Sequence, residues 1–367
     1  MARLGDVCTF YSGTGFPNEY QGKKSGQYPF YKVGDISKNV LNGTIYLEKS
    51  DNYVDENVVK TIKGNLIPSK TVVFAKIGEA LRLNRRAITT CACLIDNNVM
   101  GIHPNEHVLD LSYFYHWMTT LDLQKYSEST TVPSVRKTRI CEIEISILPL
   151  EEQNRIAAIL DKVECLISLR KQQLAKLDEL VKARFVEMFR DPIANSADTP
   201  KKPLGEICIL KAGITTSADE IHEFSTQYQI PCYGGNGIRG YVKKSTQHGI
   251  YPIIGRQGAL CGNVQLASGD FHATEHAVLV TPFIEVDIVW LFYLLKYLDL
   301  YRFHTGAAQP GLAVKTLNTV EVPLATIESQ KVFSSFSQQI HRQKLTIQQS
   351  LDKMGILKKT LMQEYFG

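Results

Sequence analysis

The sequence lacks the marks of a membrane, secreted or metal-binding protein. No apolar run reaches the roughly 18 residues that a membrane span needs, and the longest candidates are broken by charge or glycine. Met1-Ala2-Arg3-Leu4-Gly5-Asp6 has no apolar core of a signal peptide, so a cytoplasmic protein is expected. The eight cysteines include no C-x-x-C pair. In a cytoplasmic chain such scattered cysteines read as small buried apolar residues rather than disulfides or zinc ligands. Cys91 and Cys93, two apart on an expected strand, would share one face and suit packing.

Machinery for catalysis is also missing. There is no G-x-x-x-x-G-K-[ST] phosphate loop, so ATP-driven motion is not encoded in this chain. The N/D-P-P-aromatic tetrapeptide of a methyltransferase is absent. Tyr11-Ser12-Gly13-Thr14-Gly15 superficially looks like a cofactor loop, but Phe16-Pro17-Asn18 follows and no helix opens there to hold a ligand. Gly234-Gly235-Asn236-Gly237 is a turn signal more than a phosphate cradle.

What is present is ordinary in bulk and unusual in arrangement. With 367 residues, 44% hydrophobic and 21% charged, the chain is sized for two or more soluble globular domains. A net charge of +4 and a pI near 8.5 are only mildly basic and support nucleic-acid binding weakly.

The arrangement is a repeat. Leu4-Gly5-Asp6-Val7-Cys8 recurs as Leu204-Gly205-Glu206-Ile207-Cys208, and Tyr28-Pro29-Phe30-Tyr31 as Ile230-Pro231-Cys232-Tyr233. Phe74-Ala75-Lys76-Ile77-Gly78 lines up with Ile254-Gly255-Arg256-Gln257-Gly258. From Leu121 and Leu298 onward the offset stays at 177, through Gln153 and Gln330 to Phe189 and Phe366. Changing offsets mean loop insertions, and the constant offset marks a rigid tail. Each copy opens with about 150 residues of short β-like runs, such as Thr71-Val72-Val73-Phe74, broken by Gly, Asn and Pro. An apolar helix follows, Leu111 to Met118 in one copy and Ile288 to Leu298 in the other. The expected fold class is therefore α+β.

A long helix closes each copy, from about Glu151 to Arg190 and from about Glu328 to Phe366. Spacings of 4 and 3 pick out Ile156, Leu160, Val163, Ile167, Arg170, Leu174, Leu177, Val181, Arg184 and Met188 in the first. The second gives Phe333, Ser337, Ile340, Lys344, Ile347, Leu351, Met354, Lys358, Leu361 and Tyr365. Each rod would be roughly 57 Å long. Such a rod needs a partner, and the other copy's helix supplies one if the two pack antiparallel as a coiled coil. Two β-rich globular domains with pseudo-two-fold symmetry would then lie at the ends of the pair. Pro192 to Pro203 reads as the linker.

His272-Ala273-Thr274-Glu275-His276 fits the inverted zinc-protease pattern, but that chemistry needs both histidines on one helical face. The run that follows, Ala277-Val278-Leu279-Val280-Thr281, is strand-like. Thr89-Thr90-Cys91-Ala92-Cys93 is expected in the corresponding place of the first copy, so no metal site is expected. Strand histidines that serve structure or DNA contact are the better reading.

Cations cluster instead in polar, glycine-bearing loops. In the first copy these are Lys76, Arg82, Asn84, Arg85 and Arg86, with Arg136 and Lys137 after Thr130-Thr131-Val132-Pro133-Ser134-Val135. In the second they are Asn236, Arg239, Lys243, Lys244, Arg256 and Gln257. Arg, Lys, Asn and Gln make directional bonds to base edges, and any cation can hold a phosphate.

Leu148-Pro149-Leu150-Glu151-Glu152-Gln153-Asn154-Arg155-Ile156-Ala157-Ala158-Ile159-Leu160 opens the first long helix, and Val322-Pro323-Leu324-Ala325-Thr326-Ile327-Glu328-Ser329-Gln330 opens the second. With Cys232-Tyr233-Gly234-Gly235-Asn236-Gly237 and Ile254-Gly255-Arg256-Gln257-Gly258, these make the chain resemble the specificity subunit of type I restriction-modification systems. The resemblance covers essentially the whole chain. It implies target-recognition domains at residues 1–150 and 203–325, spacer helices at 151–191 and 326–367, and a linker at 192–202. It further implies that each recognition domain reads one half of a bipartite double-stranded DNA site. The subunit would be non-catalytic, with no cofactor of its own. The helices would dock two modification subunits that bind S-adenosylmethionine, through Glu151, Glu152, Gln153, Arg155, Glu328 and Gln330. A motor-endonuclease subunit would bring ATP and Mg²⁺. The alternatives are a self-contained DNA methyltransferase or nuclease, which the missing tetrapeptide opposes, and a coiled-coil adaptor, which the two β-rich domains oppose.

Overall fold

Short β-branched and aromatic runs separated by turn residues form strands in each copy, and the apolar runs after them form helices that cover the sheets. The computed structural model describes residues 1–127, 132–194, 200–306 and 310–367. The chain divides into two compact units, Met1–Gln172 with Gln348–Gly367, and Gln173–Ile347. Each unit thus takes in part of both long helices, whereas the sequence division kept whole helices apart from the domains. No described helix is long and apolar enough to cross a membrane.

In unit 1 the chain runs β1 (Ala2–Arg3), α1 (Leu4–Val7), β2 (Cys8–Ser12), β3 (Tyr28–Tyr31), α2 (Val33–Leu41), β4 (Tyr46–Leu47), β5 (Tyr53–Val54) and α3 (Glu56–Thr61). It continues through β6 (Val72–Ala75), α4 (Glu79–Arg82), β7 (Arg86–Thr89), β8 (Leu94–Ile95), β9 (Val99–Pro104), α5 (Leu111–Thr120), α6 (Lys137–Cys141) and β10 (Glu144–Ile145), then enters the long α7 (Leu150–Phe189). Five strands make a sheet in the order β2-β9-β6-β7-β4, and three more the order β5-β3-β8. Unit 2 holds β11 (Lys201–Pro203), β12 (Cys208–Ala212), β13 (Ile230–Gly234), β14 (Gly237–Val242), β15 (Gln247–Gly255), β16 (Val264–Ala273) and β17 (Ala277–Pro282). Then come α8 (Ile288–Tyr297), α9 (Val314–Asn318), β18 (Glu321–Pro323) and the long α10 (Ile327–Phe366). Its six-stranded sheet has the order β12-β17-β15-β16-β13-β14.

The repeat extends to individual backbone bonds. Thr14 N–H donates to Ile95 O at 2.8 Å, and Ile214 N–H to Ala273 O at 2.9 Å. β3 runs parallel to β8, and β13 parallel to β16. Gly13 and Gly213 sit at this crossing for the same reason: a Cβ would lie 1.9 Å from Asp96 O in one unit and 2.1 Å from Ala273 O in the other. Gly13 therefore serves strand contact, not a cofactor. The strand pairing also corrects the counterpart of His272-Ala273. It is Leu94-Ile95, not part of Thr89–Cys93, because these are the residues paired with Tyr31 and Tyr233.

Packing follows the same plan. In unit 1, Leu4, Val72, Phe74, Ile102, Phe114 and Met118 bury against Ile156 and Leu160 of α7, with Leu361, Tyr365 and Phe366 of α10 laid over them. Arg155 lies near Tyr365, and Glu164 bonds Lys358 at 2.5 Å, so the two helix segments run antiparallel. In unit 2, Asp178 bonds Lys344 at 2.6 Å and the Phe185 ring meets Phe333 at 5.2 Å between centroids, again antiparallel. All ten seam positions named in each helix are buried or half-buried. The seam lysines Lys344 and Lys358 are tolerated because each reaches a carboxylate on the other helix. Phe185, fully buried, lies off the expected seam and anchors an aromatic cluster with Phe189, Tyr297 and Phe333.

The cysteines depart from expectation. Cys93, Cys208, Cys232 and Cys261 are buried, but Cys91 and Cys165 are exposed. Residues 90–92 form a bend rather than a strand, so Cys91 shares no packed face with Cys93.

Two glutamines tie the sheets' covering helices to the long ones. Gln153 is 0% exposed; its Oε1 accepts from Asp110 N–H at 2.8 Å, and its Nε2 donates to Val108 O at 2.9 Å and Leu148 O at 2.7 Å. Gln330, 1% exposed, accepts from Asp287 N–H at 2.8 Å and donates to Ala325 O at 2.8 Å. Asp110 and Asp287 meanwhile cap α5 and α8 through their carboxylates. This corrects the expectation that Gln153 and Gln330 bind another subunit, since both amides are enclosed and occupied within the chain. Gln153→Ala or Gln330→Ala would orphan these buried groups, so each is expected to lower stability by about 1–3 kcal/mol in urea unfolding. An unchanged midpoint in both variants would contradict the assignment.

Candidate nucleic-acid interface

One cation of each copy, Lys76 and Arg256, follows the same structural position. Lys76 and Arg256 each come directly after the strand at the sheet's centre, β6 or β15. Lys76 N–H donates to Asn98 O and Arg256 N–H to His276 O, both at 2.9 Å. Gly78 N–H donates to Pro133 O at 2.8 Å and Gly258 N–H to Pro310 O at 3.0 Å. Val135 N–H returns to Lys76 O at 2.9 Å, and Leu312 N–H to Arg256 O at 2.8 Å. The loop after the central strand is therefore clamped in both units by the segment that leads to α6 or α9. That clamp brings Arg136 and Lys137 near the Lys76 loop although 60 residues separate them in sequence. Gly78 and Gly258 have φ of 73° and 87°, a backbone state that a side chain strains.

In unit 1, Arg82 is exposed on α4 with its Nη1 3.3 Å from Glu79, and Arg136 and Lys137 are exposed at the start of α6. Lys76, Asn84 and Arg85 are half-buried. Arg86 is not part of any interface. It is 2% exposed, donates to Asn84 O at 2.5 Å, Asn84 Oδ1 at 2.7 Å and Leu121 O at 3.0 Å, and lies 5.8 Å over the Phe74 ring. Burial pushes its guanidinium pKa down to about 10, which still leaves it charged at neutral pH. Arg86 thus holds Asn84 in its left-handed turn, φ 52°, beside Arg85. Thr130 and Thr131 lie outside the described residues.

In unit 2, Asn236, Arg239 and Gln257 line one open concavity of roughly 500 Å³ with His276 and the glycines of the β13–β14 turn. Lys243 and Lys244 line a second, of roughly 450 Å³, with His222, Tyr228 and the acids Asp219 and Glu220. The Lys243 ammonium sits 5.1 Å over the Tyr228 ring. Strand β14 joins the two concavities, with Arg239 toward one end and Lys243 just past the other. β14 is an edge strand of its sheet and exposes Ile238 and Arg239 while burying Val242.

The His272–His276 motif has a structural role. His272 closes β16, and His276 sits in the turn before β17, so the pair shares no helical face. His272 Nε2 meets Thr216 Oγ1 at 2.7 Å, and burial pushes the imidazole pKa below its ordinary value. Glu275 accepts from Thr216 N–H at 3.2 Å and holds His276 Nε2 at 3.1 Å. His276 was singled out in sequence only through its motif, and only the folded turn brings it beside Arg239 and Gln257.

At the helix starts, Glu151 and Glu328 are exposed, while Glu152 and Arg155 pair through two nitrogen–oxygen contacts of 3.1 and 2.5 Å. Arg155 holds the Glu152 carboxyl pKa below its ordinary value.

The contrast between two adjacent arginines is testable. Arg86→Ala leaves Asn84 Oδ1 and Leu121 O without their donor and is expected to cost about 1–3 kcal/mol. Arg85→Ala should change stability by no more than about 0.5 kcal/mol. Thermal unfolding of both variants decides it, and equal losses would refute the separation.

Comparison with known proteins agrees with this architecture. The family model described as the type I restriction modification DNA specificity domain matches residues 1–179 and 198–353. The specificity subunit of the type I restriction enzyme EcoprrI from Escherichia coli is 31% identical over 324 residues, covering 83% of this chain and 78% of its own. The putative MjaX specificity subunit of Methanocaldococcus jannaschii is 20% identical over 347 residues, covering 86% of this chain and 80% of that one. The crystal structure of the type I restriction-modification S subunit from M. genitalium superposes with a TM-score of 0.66, covering 100% of this chain and 95% of that one at 16% identity. With both copies of its repeat matched, the chain belongs to the family of type I restriction-modification DNA specificity subunits.

Proposed function

We propose that the chain reads a bipartite double-stranded DNA target, one half-site per recognition domain, without a catalytic centre or cofactor of its own. The observation that carries this is the repeated clamp. In each unit a cation-bearing loop is fixed by the same backbone bonds, so one polypeptide holds two separate reading sites of one design. In unit 1 the contacts would come from Lys76, Arg82, Asn84, Arg85, Arg136 and Lys137. In unit 2 they would come from Asn236, Arg239, Lys243, Lys244, Arg256 and Gln257. Arg86 is withdrawn because it is enclosed.

The helix starts supply the second part of the proposal. Glu151, Glu152, Arg155 and Glu328 offer charged contacts at the beginnings of α7 and α10, and two modification subunits carrying S-adenosylmethionine would dock there. A motor-endonuclease subunit would join that complex in the cytoplasm. The domain limits of 1–150 and 203–325 describe the two readers.

Single Ala changes at Arg82, Arg85, Arg239 and Arg256 test the reading sites in the assembled complex. A base-reading arginine should cost about 1–3 kcal/mol and relax one position of the target, whereas a phosphate-binding one should weaken all sequences alike. Unchanged affinity in all four would remove the loop assignment, and methyl transfer by the isolated chain would overturn the non-catalytic reading.

A second expectation concerns the unspecified spacer. Adding four residues to each long helix, near Leu174 and near Leu351, adds about one turn or roughly 6 Å and keeps the seams nearly in phase. The spacer should lengthen by one or two base pairs while both half-sites stay the same. Mapping methylated adenines in such a variant reports this, and an ungapped motif or altered half-sites would contradict it.

A further inference from the structure

The first concavity of unit 2 gathers side chains from separate elements, and its hydrogen bonds leave it rich in donors. Asn236 forms the β13–β14 turn, and its Oδ1 accepts from Asn263 Nδ2 at 2.9 Å, which leaves the amide nitrogen to face a ligand. Arg239 is exposed on β14, and a guanidinium offers donors only. Glu275, the carboxylate of the neighbouring turn, already accepts from Thr216 N–H and holds His276 Nε2. Glu275 itself does not line the concavity.

Close backbone approach sets the geometry. A Cβ at Gly255 would lie 1.9 Å from Gly235 O, and one at Gly235 would lie 3.3 Å from His276 O and 3.4 Å from Gln257 O. The turn is thus pressed onto the two loops that carry Gln257 and His276, and Arg239 and Asn236 line the same concavity beside them. Lys243, held over Tyr228, and Lys244 lie past the other end of β14 as ammonium point charges, a chemistry that suits a phosphate.

We propose that this concavity reads one guanine of the half-site assigned to unit 2, with the forked Arg239 guanidinium donating to guanine O6 and N7 and the Asn236 amide beside it. The proposal rests on the DNA reading above. In the major groove guanine shows two adjacent acceptors; adenine pairs an acceptor with a donor, cytosine shows a donor, and thymine an acceptor beside a methyl group. A donor-rich, rigid site therefore selects guanine. A backbone phosphate also offers only acceptors, and the experiment separates the two.

The test uses the full chain assembled with its modification subunit, on duplexes carrying its methylation target. Each guanine of either half-site is replaced in turn by 7-deazaguanine, which removes the N7 acceptor and leaves base pairing intact. One replacement should weaken binding by roughly 10- to 100-fold. Arg239→Ala should weaken the unmodified target by a similar factor and no longer sense that replacement. Arg239→Lys should keep the salt-dependent affinity while accepting other base pairs at that position. The proposal is overturned if no guanine replacement matters, if Arg239→Ala still senses the critical one, or if it weakens every sequence alike as a phosphate contact would. A complex that binds its target no better than random DNA would instead remove the DNA reading itself, and this inference with it.

Discussion

Both long helices carry an apolar seam that neither can bury alone, and the burial of those seams organises everything around them. Each unit's core is completed by the start of one helix and the end of the other. Ile156 and Leu160 meet Tyr365 and Phe366 in unit 1, and Phe185 meets Phe333 in unit 2. Neither unit is therefore a domain with a helix attached; each is a sheet, its covering helix and two segments distant in sequence. The seam lysines fit because an acid on the other helix answers each one, which removes the cost of a half-buried unpaired charge. The glutamine braces carry this order to the covering helix, since Gln153 and Gln330 bond the backbone just before α5 and α8.

From that foundation the clamped cation-bearing loops inherit their rigidity. Each is fixed at one end by the central strand and at the other by the segment entering α6 or α9, through backbone bonds that do not depend on side-chain identity. Such a frame holds the loop's backbone in place whatever side chains it displays, a rigid scaffold under a variable surface. The two units use the freedom differently. Unit 1 inserts α4 after the loop, with Arg86 buried beneath it; unit 2 instead builds the β13–β14 ribbon at its sheet edge.

Which cations serve the loops was only partly legible. Charge clustering singled out the segments, but Arg85 and Arg86 are indistinguishable as letters, and only Arg86 points into the space between Phe74 and Leu121. Likewise Gln153 looked like part of a docking motif because Glu, Glu and Gln stand together, yet helical periodicity turns the third of them inward. His276 was legible as a polar strand-end residue, but its neighbours Arg239 and Gln257 come from other segments and could not be read from its motif.

The sequence by itself determined the α+β class, the two copies, the extent of the long helices and their 4,3 seams, though not Phe185, because periodicity and offset are local properties that survive without a partner. It also determined the family, through motifs spread along the whole chain. The tertiary structure decided which loop residues are enclosed and which are displayed, which strand faces which in the two copies, and which distant side chains share a concavity. Those outcomes depend on contacts between residues far apart in the chain, where a single close backbone approach, as at Gly235 and Gly255, fixes what no local pattern encodes.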